Sequence, residues 1–290
     1  MSTKPFIKNS HFRNIIELNF AMLLVSTSGA LGRYIETLVF ITIFFRAALA
    51  MLFIFLFCRV TKKSFTIKNG DRSTVIVSGV LMGLHWITYF YALQLSNVAI
   101  GMISIFTYPV ITSLLEPLLL KSSFQKMHLL LALMVLTGIY FLVPEFNLEN
   151  DHFRAITFGI FSALCYALRN IVSKGKVTIY DSSILMFYQL VVISILLLPF
   201  LMVIPMDKVV SQLPAIAVLA LVTTSIGHTL FLQSFKKFSI TTASIISSTQ
   251  PIYGIIIGAI FLYEIPQWST LIGGFLILGA VIIESIRSYQ

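Results

Sequence analysis

Charge is what this chain has least of. Asp, Glu, Lys and Arg make up only 11% of its 290 residues, against about 25% in an ordinary soluble domain. That shortage leaves no room for a separate water-facing domain. Cysteine is nearly missing too: Cys58 and Cys165 fall at the end of one apolar run and within another, so no disulfide framework is expected. The five histidines (His11, His85, His128, His152, His228) show no metal-ligand spacing with cysteine or carboxylate. No Walker loop, GxSxG or HExxH motif occurs. These absences predict no metal, no cofactor and no enzymatic nucleophile. Any uphill work must draw on a gradient rather than on a nucleotide bound by this chain.

Apolar residues fill the space instead, at 58% of the chain with a mean hydropathy of +0.95. A helix needs roughly 20 such residues to cross a bilayer. The pattern predicts ten spans: Ile15–Gly32, Leu38–Cys58, Val75–Leu95, Val98–Leu120, His128–Val143, Ile156–Ser173, Ile184–Ile204, Ala215–Phe235, Thr241–Leu262 and Trp268–Ile286. All should be helical, because a helix satisfies its own backbone inside lipid. The fold expected is therefore an all-α membrane protein. The basic start (Lys4, Lys8, Arg13) and Ser28-Gly29-Ala30 imitate a cleavable signal. Glu17 and Asn19 interrupt that run, and the first span is read as uncleaved.

The formal net charge of +9 invites a nucleic-acid reading, which its distribution removes. Counted from a cytoplasmic N-terminus, fifteen of the 20 Lys and Arg fall in inner segments. Arg33, Arg154 and Lys208 fall outside, and Arg46 and Arg169 lie within spans. This is the positive-inside bias. It puts both termini in the cytoplasm and makes the bilayer, not nucleic acid, the partner of the basic residues. High Lys, Ile and Phe usage fits a low-GC bacterium, hence an inner (cell) membrane.

The chain also repeats itself. Phe90–Pro109 reads FYALQLSNVAIGMISIFTYP and Leu232–Pro251 reads LQSFKKFSITTASIISSTQP. A shift of 142 sets Pro109 on Pro251, Thr107 on Thr249 and Tyr108 on Gln250. The expected organisation is a five-helix repeat over 1–143, a connecting loop over 144–155 and a second repeat over 156–290. Five spans is an odd number, so the second repeat enters the membrane inverted. Inverted repeats around a midplane site are an architecture of secondary transporters.

Several motifs then add up in order and spacing. They are Phe45-Arg46-Ala47-Ala48 with Ala50, Tyr89-Phe90-Tyr91-Ala92-Leu93, Ser104–Pro109, Ala243-Ser244 with Gln250-Pro251, and Tyr263-Glu264. Together they resemble the drug/metabolite transporter superfamily, in particular its EamA-type ten-span permeases, over essentially the whole chain. Departures exist. An aromatic residue common in the first span is missing, Ser122 stands where the first half should repeat Glu264, and Tyr263 replaces a frequent glycine. The resemblance implies a permease moving a small organic metabolite by alternating access, with an amino acid or related compound as leading cargo. A nucleotide-like cofactor or a drug is the alternative. An integral-membrane enzyme on lipid-linked substrates, a channel or a non-transporting scaffold are readings from other classes.

Site residues follow from helical spacing. Asn97, Gly101, Ser104, Tyr108, Thr112 and Glu116 form one polar stripe on span four. Such a stripe faces either a cavity or a tight helix seam. Tyr108, Gln250, His85 and Trp86 lie near mid-span, with Tyr89 one turn beyond His85. The substrate-binding candidates are thus His85, Trp86, Tyr89, Ser104, Tyr108, Thr112 and Gln250. His85 and His228 are either interhelical hydrogen-bonders or groups that bind or handle a proton, so a coupling proton stands as a candidate partner. Pro109 and Pro251 are candidate hinges. Intramembrane charge sits at Glu17, Arg46, Glu116 and Arg169. Depth separates Arg46 from Glu116 and makes Glu17 or Arg169 the better partner for Glu116, or for each other. Charge of both signs with aromatic walls would suit a zwitterion.

The topology is directly testable. In a Cys58→Ser, Cys165→Ser background, Asn147→Cys should react with a membrane-impermeant thiol reagent on intact cells. Lys62→Cys should react only after the membrane is opened.

Overall fold

The computed structural model describes residues 4–120, 127–142, 147, 149–203, 206–238, 243 and 246–288. Among the described residues there is helix and no strand. The helices are α1 (Lys4–Tyr34), α2 (Val39–Val60), α3 (Arg72–Leu95), α4 (Val98–Ile105), α5 (Tyr108–Leu120) and α6 (Met127–Leu142). The later part of the chain adds α7 (Asp151–Val177), α8 (Ser182–Leu197), α9 (Met206–Val218), α10 (Thr229–Ser234), α11 (Gln250–Leu262) and α12 (Trp268–Ser288). Seven helical stretches are long and apolar enough to cross a membrane, and three apolar helices, Leu130–Leu142, Gln250–Leu262 and Trp268–Ile283, are shorter. The expected span ends Val143, Ile204 and Thr241 lie outside the described residues, as do Ser122 and part of the 144–155 segment.

Local chemistry sets the helix starts. Asn97 Oδ1 accepts from Ile100 N, Asn150 Oδ1 from His152 N and Phe153 N, and Asp181 Oδ1 from Ser183 N. Each side chain satisfies an otherwise orphaned amide of the first turn. The cap at Asn150 starts α7 at Asp151, five residues before the start expected at Ile156.

Two of the expected spans are not continuous helices. Span four breaks at Phe106-Thr107, between α4 and α5. A proline has no amide proton, so Pro109 cannot continue the ladder of α4, and it stands instead as the second residue of α5, where no amide is needed. The same break recurs at Ser248-Thr249, just before α11, with Pro251 as that helix's second residue. A shift of 142 carries one break onto the other. Elsewhere α9 passes into a π-helical segment, Leu219–His228, before α10.

Helix packing follows a matched pattern. α3 lies along α7, and α1 lies along the π-helical segment; α3 also meets α8, and α2 meets the π-helical segment; α4 meets α7, and α11 meets α1. α2 packs on α8, and α6 on α12. Large apolar side chains such as Leu18, Met22, Met82, Phe90 and Leu93 fill the centre. The outside is apolar as well: Leu52, Phe55, Leu56 and Phe57 of α2 and Leu271, Ile272 and Phe275 of α12 are exposed. Lipid accounts for a surface that water would not tolerate. Small residues bring backbones together where α6 meets α12. A Cβ on Gly138 would sit 2.9 Å from Gly273 O, and one on Gly273 2.6 Å from Gly138 O.

Ion pairs tie the two ends of the bundle. At one end Lys63 meets Asp181 at 2.9 Å, Lys174 meets Glu116 at 2.9 Å, Lys176 meets Asp71, and Lys237 meets Glu17. Each joins the first half of the sequence to the second. At the other end Arg33 meets Glu264 at 3.0 Å, and Glu264 also accepts from Val98 N, capping α4. Exposed pairs of this kind are each worth about 0–1 kcal/mol. Glu264 is aimed by Tyr263, which ends α11 in the left-handed region at φ 57°. A side chain there costs roughly 1–2 kcal/mol, which glycine avoids.

Two stability outcomes follow. Tyr263→Gly should raise thermal stability in detergent by about 1 kcal/mol. Gly273→Val should lower it by about 1–3 kcal/mol, because the α6–α12 backbones must separate.

Candidate functional site

The two helix breaks face each other across a cavity. Its wall is built by Val25 and Ser28 of α1, Arg46 of α2, and His85, Trp86 and Tyr89 of α3. The break contributes Ile105, Phe106 and Tyr108; Tyr166 comes from α7, His228 from the π-helical segment and Gln250 from α11. Non-atom space there totals about 360 Å³, but the centre of a water-sized sphere can move through only about 20 Å³ of it. One water needs roughly 10–15 Å³ by that measure. The cavity is therefore closed down, and an organic molecule could enter only after the walls part.

The breaks have a direct consequence for this wall. Pro109 leaves the carbonyl of Ile105 without its usual helical donor, and Ile105 and Phe106 both line the cavity. Tyr108 Oη and Ser247 Oγ lie 2.7 Å apart, one beside each break. This contact ties the first half of the chain to the second at the centre of the bundle.

His85 is held in place from α7. Ser162 Oγ donates to His85 O at 2.8 Å, and the same oxygen lies 2.8 Å from His85 Nδ1. A hydroxyl has one proton. Once it is given to the carbonyl, Ser162 must accept from Nδ1–H, so that Nε2 is the acceptor whenever the ring is neutral. Tyr166 stacks on the imidazole at 4.5 Å, and Tyr89 lies on it at 6.1 Å.

Arg46 is fully buried. Its Nε donates to Thr224 Oγ1 at 2.7 Å, and its guanidinium lies 3.8 Å from the Trp86 ring centre and 5.5 Å from that of Phe90. Aromatic faces attract a cation. Among the described residues, no acidic side chain is on the cavity wall. Arg169, also buried, has a different setting. Its Nη2 and Nε donate to Gln189 Oε1 at 2.8 and 3.3 Å, and its Nη1 donates to Asn170 Oδ1 at 3.0 Å. Gln189 in turn donates to Ser78 Oγ at 3.1 Å. That network joins α3, α7 and α8 through neutral partners.

The structure thus sorts the residues singled out from the sequence. His85, Trp86, Tyr89, Tyr108 and Gln250 line one cavity with Arg46. Ser104 and Thr112 lie off it. Ser104 donates to Gly101 O and packs where a Cβ on Gly159 would overlap it, and Thr112 donates to Tyr108 O. The polar stripe of span four is therefore part cavity and part helix seam. The expected charge pairings are replaced. Glu116 pairs with Lys174, Glu17 with Lys237 and Arg13, and Arg169 with no acid among the described residues. The lining does not carry both signs of charge, because both carboxylates sit at the bundle end beside a nearer lysine. Tyr166 was missed, although Gly159, Ser162, Tyr166, Asn170 and Ser173 form on α7 the same kind of stripe that was read on span four. Among the described residues no three His, Cys, Asp or Glu side chains gather as metal ligands.

Comparison with known proteins fits this arrangement. The model of the EamA-like transporter family matches twice, over residues 15–143 and 153–286. An uncharacterized transporter of Archaeoglobus fulgidus is 29% identical over 197 residues, covering 68% of this chain and 70% of its own. The pseudopaline exporter CntI of Pseudomonas aeruginosa is 25% identical over 247 residues, 84% of each chain. A solved crystal structure superposes with a TM-score of 0.68 at 14% identity, over 96% of this chain and 98% of that one. That likeness speaks to the fold alone. Apolar helices of membrane-spanning length, a closed central cavity and two matches to one family model agree: the chain belongs to the EamA-like transporter family.

Proposed function

We propose that this membrane transporter is a ten-span secondary carrier. It would move a small organic metabolite, a compound related to the amino acids, by alternating access between two inverted five-helix repeats. The repeats are 1–143 and 156–290, joined by 144–155. Support comes from the family model matching each half once, and from helix breaks that coincide under a shift of 142. The packing pairs also exchange with one another when the halves are exchanged. Both termini are assigned to the cytoplasmic side of a bacterial inner membrane, which puts the end with the Lys63–Asp181 and Lys176–Asp71 pairs inside.

The single observation that carries the transport reading is the closed cavity between the two breaks, walled by both halves of the chain. A channel needs a continuous pore, whereas a carrier needs a site shut off from both sides at once. Helices broken at Phe106-Thr107 and Ser248-Thr249 give natural pivots there, since a few residues outside the helical ladder absorb a hinge motion. Substrate in the opened cavity would meet aromatic walls, the Tyr108–Ser247 bridge and Gln250.

Counterflow in proteoliposomes tests this reading, with a panel of amino acids, nucleosides and cofactors and with or without a pH gradient. Saturable exchange by one compound is expected, reduced about tenfold in Gln250→Ala, the loss of one or two hydrogen bonds. Passage that is linear in concentration with no counterflow would sink the carrier reading. A change with the pH gradient would identify the proton as coupling partner.

The ionic end gives a second outcome. Asp71 accepts from both Lys176 and Tyr180. Asp71→Asn should weaken that closure and raise the population open at that end. A cysteine at Ser28 should then label faster from the inner side. Unchanged labelling would remove this pair from the gate.

A further inference from the structure

Among the described residues two arginines are buried, and only one of the two is satisfied. Arg169 finds three acceptor contacts on Gln189 and Asn170. Arg46 has one, through Nε to Thr224, while both Nη1 and Nη2 have no hydrogen-bond partner. Trp86 Nε1 and His228 Nδ1 are likewise buried and without a partner. Arg46 is 0% exposed, Trp86 1% and His228 4%. All three residues line the central cavity, and Trp86 touches the other two, with the guanidinium over its ring and the His228 ring 5.5 Å away.

The chemistry of these atoms is one-sided. Guanidinium and indole nitrogens donate and cannot accept, and arginine keeps its charge in proteins. A buried cation with spare donors and no counter-ion is costly inside a membrane. Aromatic faces offset only part of that cost and occupy none of the four empty donor directions. The other intramembrane charges show that the chain has carboxylates to spend, yet Glu17 and Glu116 are committed to lysines at the bundle end.

We propose that Arg46, Trp86 and His228 form the seat for a carboxylate of the transported molecule, so that the cargo is an organic carboxylate whose counter-charge the protein supplies. The inference rests on the transport reading for its purpose, but its chemistry is that of binding. Two carboxylate oxygens offer about four lone pairs, enough for both Arg46 Nη atoms, Trp86 Nε1 and the His228 ring. Among the described residues the wall holds no carboxylate to answer an ammonium group. The site therefore prefers acids whose nitrogen is absent, acylated or otherwise uncharged. His85 Nε2, left as an acceptor by the Ser162 bond, offers a place for a neutral N–H or O–H of the same molecule. The aromatic rings of Tyr89, Phe106 and Tyr166 suit an apolar body.

The chain has two tryptophans. Trp268 is 82% exposed at the start of α12, so Trp268→Phe leaves Trp86 as the only reporter. The full-length variant, reconstituted in lipid, would be titrated with matched compounds: phenylacetate, N-acetylphenylalanine and succinate, their carboxamides, and phenethylamine. The acids should change Trp86 fluorescence saturably, with the amides at least about tenfold weaker and the amine weaker still. Arg46→Gln should abolish the acid preference, and Arg46→Lys should keep part of it. Amides or the amine binding as tightly as the acids would overturn the proposal in the Trp268→Phe protein alone, whatever the folding of the Arg46 variants. No saturable change with any acid at millimolar concentration would overturn it too. Acids that bind but never exchange in counterflow would sink the transport reading and leave the carboxylate seat standing. Exchange confined to compounds without an anion would do the reverse.

Discussion

In lipid, each backbone amide must find its partner within the protein, and most of this structure follows from that constraint. It makes the apolar stretches helical and puts Asn and Asp caps at helix starts. It also restricts where a helix can break. Both breaks of matching register, at Phe106-Thr107 and Ser248-Thr249, lie beside the same cavity. Irregular backbone at membrane depth is tolerated where it lines a cavity or is buried in protein. The prolines that prevent a continuous ladder stand at the first turn of the following helix, where their lost amide costs nothing. The opening proposed for the carrier thus uses a place where the bilayer's rule is relaxed.

Charge in the bundle obeys a related logic. Carboxylates sit at the ends, Glu17, Asp71, Glu116 and Asp181 each beside a lysine and Glu264 beside Arg33, where water softens the cost of separation. Arg169 is buried and answered by neutral carbonyl oxygens, so it holds three helices in register. Arg46 is buried and only partly answered. The difference between them lies in the neighbours contributed by other helices, and neither residue's position in its span announces it.

That contrast marks how far the sequence could be read. Apolar runs of the right length located the helices, since lipid imposes a pattern that local composition records. Spacing along span four pointed to Tyr108, and the shift of 142 pointed from it to Gln250. Proline positions flagged the two breaks but not their form, because a kink and a restarted helix leave the same letter. Partner choice was least legible. Whether Glu116 meets Arg46, Arg169 or Lys174 depends on how helices far apart in the chain rotate against each other. Ser104 shows the same limit: a small hydroxyl suits a cavity or a seam, and only Gly159 on the neighbouring helix decides for the seam. Tyr166 was hidden because its stripe was obscured by the bulky apolar residues around it.

The π-helical segment at Leu219–His228 has one further consequence. Each residue of an ordinary helix turns the chain by about 100°, and a π turn carries one residue more than an α turn. Side chains beyond it are rotated relative to an uninterrupted helix. The shift that superposes the breaks carries His85 to Gly227, one place short of His228. In a chain whose halves repeat each other's pattern, this slip makes opposite walls unlike: one presents an imidazole braced by Ser162, the other an imidazole beside Trp86 and Arg46. A pocket with strict twofold symmetry would read the two ends of a molecule alike. That offset of one place gives this pocket a head and a tail.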